Sequence, residues 1–198
     1  MNDGLIHNKL GITLSLPEGQ SKLLLHSCCA PCSCEIMRTL KETEINLAIL
    51  FYNPNIDTFE EYSKRKIEVV RYAEKLNIPF FDLDYDKSLW VDRVHGLEKE
   101  REKGKRCSVC FDIRMERSAL FAYENGFDIF TSSIGISRHK DFEQITQSGI
   151  RAALKYHNLV YWDLNWRKSG GAQRMESLAR AEGFYRQNYC GCIYSKRG

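Results

Sequence analysis

The sequence predicts an α/β chain: a Rossmann-like three-layer fold with a mostly parallel sheet of about five strands and helices on both faces. Two observations point there. Short apolar runs alternate along the chain with stretches of helical periodicity, and the second run, Ile45 to Tyr52, is apolar enough to be buried on both faces. There is also no internal repeat, low-complexity tract or linker rich in Pro, Gly or Ser to divide the chain. With 198 residues, 43% hydrophobic and 28% charged, it is long enough to bury a core without covalent staples.

Residues 1–21 read as a short polar N-terminal extension and residues 22–198 as one domain. Lys22 to His26 is the first strand. The cysteine-rich stretch after it leads into a short helix, Glu35 to Lys41. Ile45 to Tyr52 ends at the turn-forming Asn53-Pro54-Asn55. Thr58 then opens a helix, with Glu61 placed to complete a capping box. Phe59, Tyr62, Val69, Ala73 and Leu76 form its core face, and Asn77 closes it ahead of Pro79. Ile78 to Leu83 is the third strand. Lys87 to Gly104 is expected as a charged, solvated helix, and a further helix runs from Cys110 to about Glu124, stopped by Asn125-Gly126. Phe127 to Ser132 is the fourth strand, Ile134 to Asp141 a loop at its end, and Phe142 to Tyr156 a helix. Leu159 to Leu164 is the fifth strand, and Gly170-Gly171 turns into a helix from Ala172 to Glu182.

The chemistry concentrates in the cysteines. Cys28, Cys29, Cys32 and Cys34 crowd the end of the first strand, Cys107 and Cys110 lie far downstream, and Cys190 and Cys192 close the chain. No signal peptide or membrane-length apolar run is seen, so a cytoplasmic chain with reduced thiols is expected. Clustered thiols there indicate metal or redox chemistry over a disulfide framework. Strand ends of α/β sheets are where such folds place their sites. A turn between strand and helix lets the adjacent Cys28 and Cys29 share one site, and a helix start favours the thiolate. Cys107-x-x-Cys110 has the bite of a zinc or iron–sulfur half-site. Two half-sites make a four-thiolate centre, which suits zinc and a cubane cluster equally. Asp57, Asp84 and Asp112 near strand ends are candidate hard ligands for a mixed site. Cys190-Gly191-Cys192 is either a strained, reducible disulfide or a structural anchor of the C-terminus. His26, within a strand, reads as a satisfied core histidine.

Charge is uneven. Residues 138–198 carry 11 Lys and Arg against 5 Asp and Glu, net +6, while residues 1–137 carry 18 against 21, net −3. Tyr156, Tyr161, Trp162, Trp166, Phe184, Tyr185, Tyr189 and Tyr194 are interspersed in the basic part. Cations with aromatics suit RNA, and a solvated basic surface over buried aromatics is the alternative. Arg138, His139 and Lys140, with Arg167 and Lys168, sit at expected strand ends, where they can bind phosphate or donate protons. Neither a P-loop nor a G-x-G-x-x-G motif is present, so no nucleotide cofactor is expected.

From Lys22 onward the chain resembles the cobalamin-independent epoxyqueuosine reductases of the QueH family. The resemblance rests on His26-Ser27-Cys28-Cys29-Ala30-Pro31-Cys32, Phe51 to Ile56, Arg106-Cys107 to Cys110-Phe111 with Arg114, and Ser137 to Lys140. It continues through Trp166 to Gly171 and Tyr185-Arg186-Gln187 to Ser195. It implies reduction of the epoxide of epoxyqueuosine to an alkene at the wobble position of a tRNA anticodon, with loss of water. It implies a [4Fe–4S] cluster on Cys28, Cys29, Cys107 and Cys110, a second iron for which Cys32 is the candidate, and no cobalamin. Cys190 and Cys192 become a candidate redox-active pair, and Cys34 an extra thiol outside the site. His139, Lys140 and Tyr194 are candidate proton donors, and Arg138, Arg167, Lys168 and Arg186 candidate RNA contacts. The partners implied are the modified tRNA and an electron donor such as a ferredoxin or flavodoxin, with no membrane. An iron–sulfur tRNA thiolase of the ATP-pyrophosphatase type competes, but it needs an early Ser-Gly-Gly loop where this chain has His26-Ser27-Cys28-Cys29. A zinc-stabilised RNA-binding module is the non-enzyme alternative.

Overall fold

The computed structural model describes residues 5–7, 11–17 and 19–196. A two-stranded hairpin, β1 (Leu5–His7) and β2 (Thr13–Ser15), precedes the body. The elements that follow are β3 (Lys22–Ser27), α1 (Ala30–Lys41), β4 (Asn46–Phe51), α2 (Phe59–Lys75), β5 (Phe80–Asp82) and α3 (Lys87–Val94). The chain continues with α4 (Lys105–Glu124), β6 (Ile129–Ser132), α5 (Phe142–Ala153), β7 (Val160–Tyr161) and α6 (Gly171–Ala181). The five-stranded sheet has order β5-β4-β3-β6-β7, and its pairings are all parallel. This is the expected α/β architecture.

β3 is central, and its apolar run explains why. Leu23 and Leu25 face one layer, with Ile36, Met37, Val69 and Ala179 of α1, α2 and α6. Leu24 faces the other, with Met115, Ala119, Ile145 and Ala152 of α4 and α5. Period-two alternation thus buries both faces of one strand. The hairpin joins the first layer: Leu14 is buried there, and the Trp162 indole donates to Ser15 O at 3.0 Å.

Several boundaries differ from the expected ones. The expected helix over 87–104 stops at Val94. Gly96 has φ +81, and the buried Arg106 gathers the carbonyls of Leu97, Glu98 and Glu100 at 2.6–3.1 Å, turning them from a helical ladder toward its guanidinium. Helix α1 begins at Ala30, before Glu35, and α4 at Lys105, before Cys110, so Cys32, Cys34, Cys107 and Cys110 are all helical. β7 is only two residues long. Thr58 caps α2 as expected, accepting from Glu61 N at 3.2 Å. The Glu61 carboxylate does not complete a box; Arg65 takes it at 2.7 Å.

Candidate metal centre and its cavity

The site forms where β3, β4 and β6 end. His26 anchors that edge: its Nε2 donates to Tyr52 O at 3.0 Å, and its Nδ1 accepts from Ser132 Oγ at 2.9 Å. Burial, reinforced by the Arg114 charge, lowers its pKa to about 4, so the ring is neutral and structural, as expected. Asn53 Nδ2 donates to Ser27 O at 2.9 Å, tying β4 to the end of β3.

The chain then turns into α1. Cys29 is its N-cap residue in extended conformation, and Pro31 occupies the first turn, where its missing N–H costs nothing. The turn brings the sulfurs of Cys28, Cys29 and Cys32 within 4.8 Å of one another, the Cys28–Cys29 pair being 3.8 Å apart. Ser133 Oγ donates to Cys28 Sγ at 3.4 Å, and Gln187 Nε2 donates to Cys29 Sγ at 3.0 Å. Hydrogen bonds from the Cys29 and Cys32 thiols hold Cys28 well below the ordinary thiol range, against its burial. Those same bonds to Cys28 push Cys29 and Cys32 up, and burial adds to the effect. Within the trio, neighbouring thiols thus stabilise a thiolate by hydrogen bonds. Among the described residues this is the group of three or more potential ligands that could hold a metal ion.

Cys107 and Cys110 occupy the first two turns of α4. Lys103 N donates to Cys107 Sγ at 3.3 Å. Cys110 is buried, which raises its pKa. Both line a small cavity with Cys190 and Cys192 of the tail. All eight cysteines are free thiols. Burial pushes Cys192 up to about 11, and Cys34, packed inside α1 against the first core layer, up to about 12. Cys34 thus lies outside the three-thiol group. Asp57 is taken by Lys196 and Lys87, and Asp112 by Arg151.

A cavity of about 380 Å³ opens over the thiols, lined by Cys28, Cys32, Cys190, Arg65 and Arg114 together with Arg138, His139, Lys140 and Arg186. That size suits a nucleoside-sized ligand. Burial alone would lower the pKa of the Lys140 ammonium, but the neighbouring Cys190 sulfur, by charge and hydrogen bond, leaves it raised. Arg138, His139 and Arg186 are exposed. Arg167 is half-buried and turned toward the neighbouring loop. It donates to the carbonyls of Gly135, Ser137 and Lys140 at 2.6–2.8 Å and so shapes the loop that carries those cations. Lys168 is exposed and outside the lining. Tyr194 is outside it too: its ring packs 6.1 Å from Trp90 with Arg106 over its face, leaving the residue 40% exposed.

The tail is fastened over the cavity by residues whose role was not read from the sequence. Arg65 donates to Cys190 O at 3.1 Å, Asp57 N to Gly191 O at 2.8 Å, and Lys196 pairs with Asp57 at 2.6 Å. Gly191 has φ +110, and a Cβ there would lie 3.1 Å from both Ile56 and Arg65. Only glycine passes at this point. The Glu61–Arg65 and Cys110–Arg114 spacings of four residues were the available signals for the two arginines.

A family model described as "Epoxyqueuosine reductase QueH" matches residues 23–198. An epoxyqueuosine reductase QueH of Acinetobacter baylyi is 58% identical over 190 residues, covering 96% of this chain and 87% of that protein. One of Haemophilus influenzae is 54% identical, over 93% of this chain and 75% of the relative. One of Thermotoga maritima is 32% identical, over 87% and 89%. Among solved structures, the U34-tRNA thiolase NcsA from Methanococcus maripaludis with its [4Fe-4S] cluster aligns with a TM-score of 0.56 at 14% identity, covering 89% of this chain and 61% of that one. That likeness is one of fold. The family model and the identities together place the chain: it belongs to the epoxyqueuosine reductase QueH family.

Proposed function

We propose that this chain reduces epoxyqueuosine to queuosine on tRNA. Two electrons and two protons enter, both C–O bonds of the epoxide break, an alkene forms and the oxygen leaves as water. The single observation that carries this reading, beyond family membership, is a nucleoside-sized cavity whose lining holds Cys28 and Cys32 of a converged thiol group and, close by, a charged lysine.

The donor set fits a thiolate-bound metal. Three sulfurs already converge, hydrogen-bond donors face two of them, and the buried Arg114 donates to the Cys110 sulfur. In this reading Cys28, Cys29, Cys107 and Cys110 hold a [4Fe–4S] cluster, and Cys32 holds a second iron. Such a centre supplies electrons singly and Lewis acidity toward oxygen. Lys140 and His139, which line the cavity as Tyr194 does not, are the proton donors at the leaving oxygen. Arg138 and Arg186 on the rim take backbone phosphates of the anticodon loop, whose unpaired wobble base can enter a pocket that a duplex base could not. The electrons come from a ferredoxin- or flavodoxin-type donor in the cytoplasm. In the same reading Cys190 and Cys192, which line the small cavity with Cys107 and Cys110, act as a dithiol–disulfide pair.

The test is anaerobic turnover of tRNA carrying epoxyqueuosine with a chemical reductant. Conversion to queuosine is expected, lowered at least tenfold in a His139→Ala, Lys140→Ala double variant. Parent-level turnover in that variant removes the loop from the reaction.

A further inference from the structure

Three arginine side chains are 3% exposed, and they are neutralised in three different ways. Arg65 pairs with the Glu61 carboxylate at 2.6 Å. Arg106 spreads its charge over three backbone carbonyls and the face of Tyr194. Arg114 has neither arrangement. Its Nε donates to Cys110 O at 3.2 Å, its Nη2 to Cys110 Sγ at 3.5 Å, and its guanidinium lies 5.4 Å from the Phe111 ring centre. No carboxylate pairs with it among the described residues. The groups gathered around it are sulfurs from three separate segments: Cys28 lines the large cavity with it, and Cys107, Cys110 and Cys190 line the small one. It lines both the large cavity and the small one.

A buried guanidinium without a counter-ion costs several kcal/mol. Neutral thiols cannot offset that; thiolates can. From this we infer that Arg114 is the internal counter-charge of the metal–thiolate centre and sets its reduction potential. The inference rests on the function proposed above. An electron added to a cluster increases its negative charge, so a fixed cation in a water-poor site favours the reduced form. The N–H···S bond to Cys110 acts in the same direction. The side chain reaches this position because α4 directs it back over the preceding turn, where Cys110 and Cys107 lie. Arg114 is thus a positioning and tuning residue that need not touch the substrate.

The experiment is a redox titration of the anaerobically reconstituted full chain, followed optically and by electron paramagnetic resonance, in the parent, Arg114→Gln and Arg114→Lys. Iron and sulfide are quantified in each. With Gln, the reduced-to-oxidised ratio at a fixed potential is expected to fall at least tenfold, a shift of about 59 mV for one electron. With Lys, which keeps the charge, most of that shift is recovered. A Gln variant with parent iron and sulfide content at the parent's potential overturns the inference alone. Should the Gln variant bind no iron, Lys decides: a potential near the parent's supports the charge role, and a tenfold loss overturns it. A parent without iron and sulfide overturns the proposed function and this inference with it.

Discussion

The two thiol regions of this molecule have similar sequence spacing and different degrees of preparation. At the end of β3, Cys28, Cys29 and Cys32 already converge, with donors from Ser133 and Gln187 aimed at the sulfurs. At the start of α4, Cys107 and Cys110 are one helical turn apart and do not form such a group among the described residues; Cys110 sits in an apolar cluster with Tyr52, Trp90, Ile113 and Cys192. Spacing gives the bite, but the turn at a strand end gives the convergence. The first region is already gathered as a three-thiol group that could hold a metal ion, and the proposed centre requires the second to move toward it. Arg114, on α4, donates to the Cys110 sulfur and lines the same cavity as Cys28.

The sharpest way to break this comparison is to remove ligands from each region in turn. Cys28→Ala and Cys107→Ala are each expected to lower bound iron and turnover by about 100-fold or more, since outer-shell partners alone are worth 10–100-fold. Parent-level iron in Cys107→Ala would make the second region separate from the centre. Next comes acid. His26 is neutral with a pKa lowered to about 4, against an ordinary value of 6.5. The unfolded chain therefore takes up a proton before the folded one. Stability of the metal-free chain is full above pH 6.5 and is lost as pH falls toward 4, by about 3 kcal/mol at most. Urea unfolding across that range measures the slope, and a flat profile contradicts the assignment of a buried neutral ring. A smaller effect is expected at the brace: Arg167→Ala frees the Ser137–Lys140 loop and should lower kcat/KM about tenfold with iron unchanged, whereas an unchanged kcat/KM would mean the loop holds its own shape. Smallest is Cys34→Ala, which should cost about 1 kcal/mol of stability and leave iron at the parent level. Lost iron there would return Cys34 to the site.

The sheet was readable because β3 and β4 carry the apolar runs Leu23–Leu25 and Leu47–Phe51, and α2 because its cap and core stripe are local signals. The expected helix over 87–104 failed because its charges satisfy helical propensity, while Gly96 and the long-range demand of Arg106 for carbonyls decide the backbone. The thiol group at 28–32 was legible since all its members lie in one turn. The bracing role of Arg167 was hidden for the opposite reason. Its partners at 135–140 are about thirty residues away, and a loop cation with carbonyl partners looks in sequence like a free one. Arg65 and Gln187 act across more than a hundred residues, on Cys190 and Cys29, and no local pattern reveals such pairings.

The central claim is that the two thiol regions form one iron–sulfur centre that reduces epoxyqueuosine. Anaerobic purification with iron, sulfide and zinc analysis, followed by assay of the same sample on tRNA carrying epoxyqueuosine, tests it most directly. A brown protein is predicted, with broad absorption near ~400 nm from thiolate-to-iron charge transfer, iron at or above sulfide, and conversion to queuosine. A colourless protein holding zinc alone, with undiminished conversion, would contradict it.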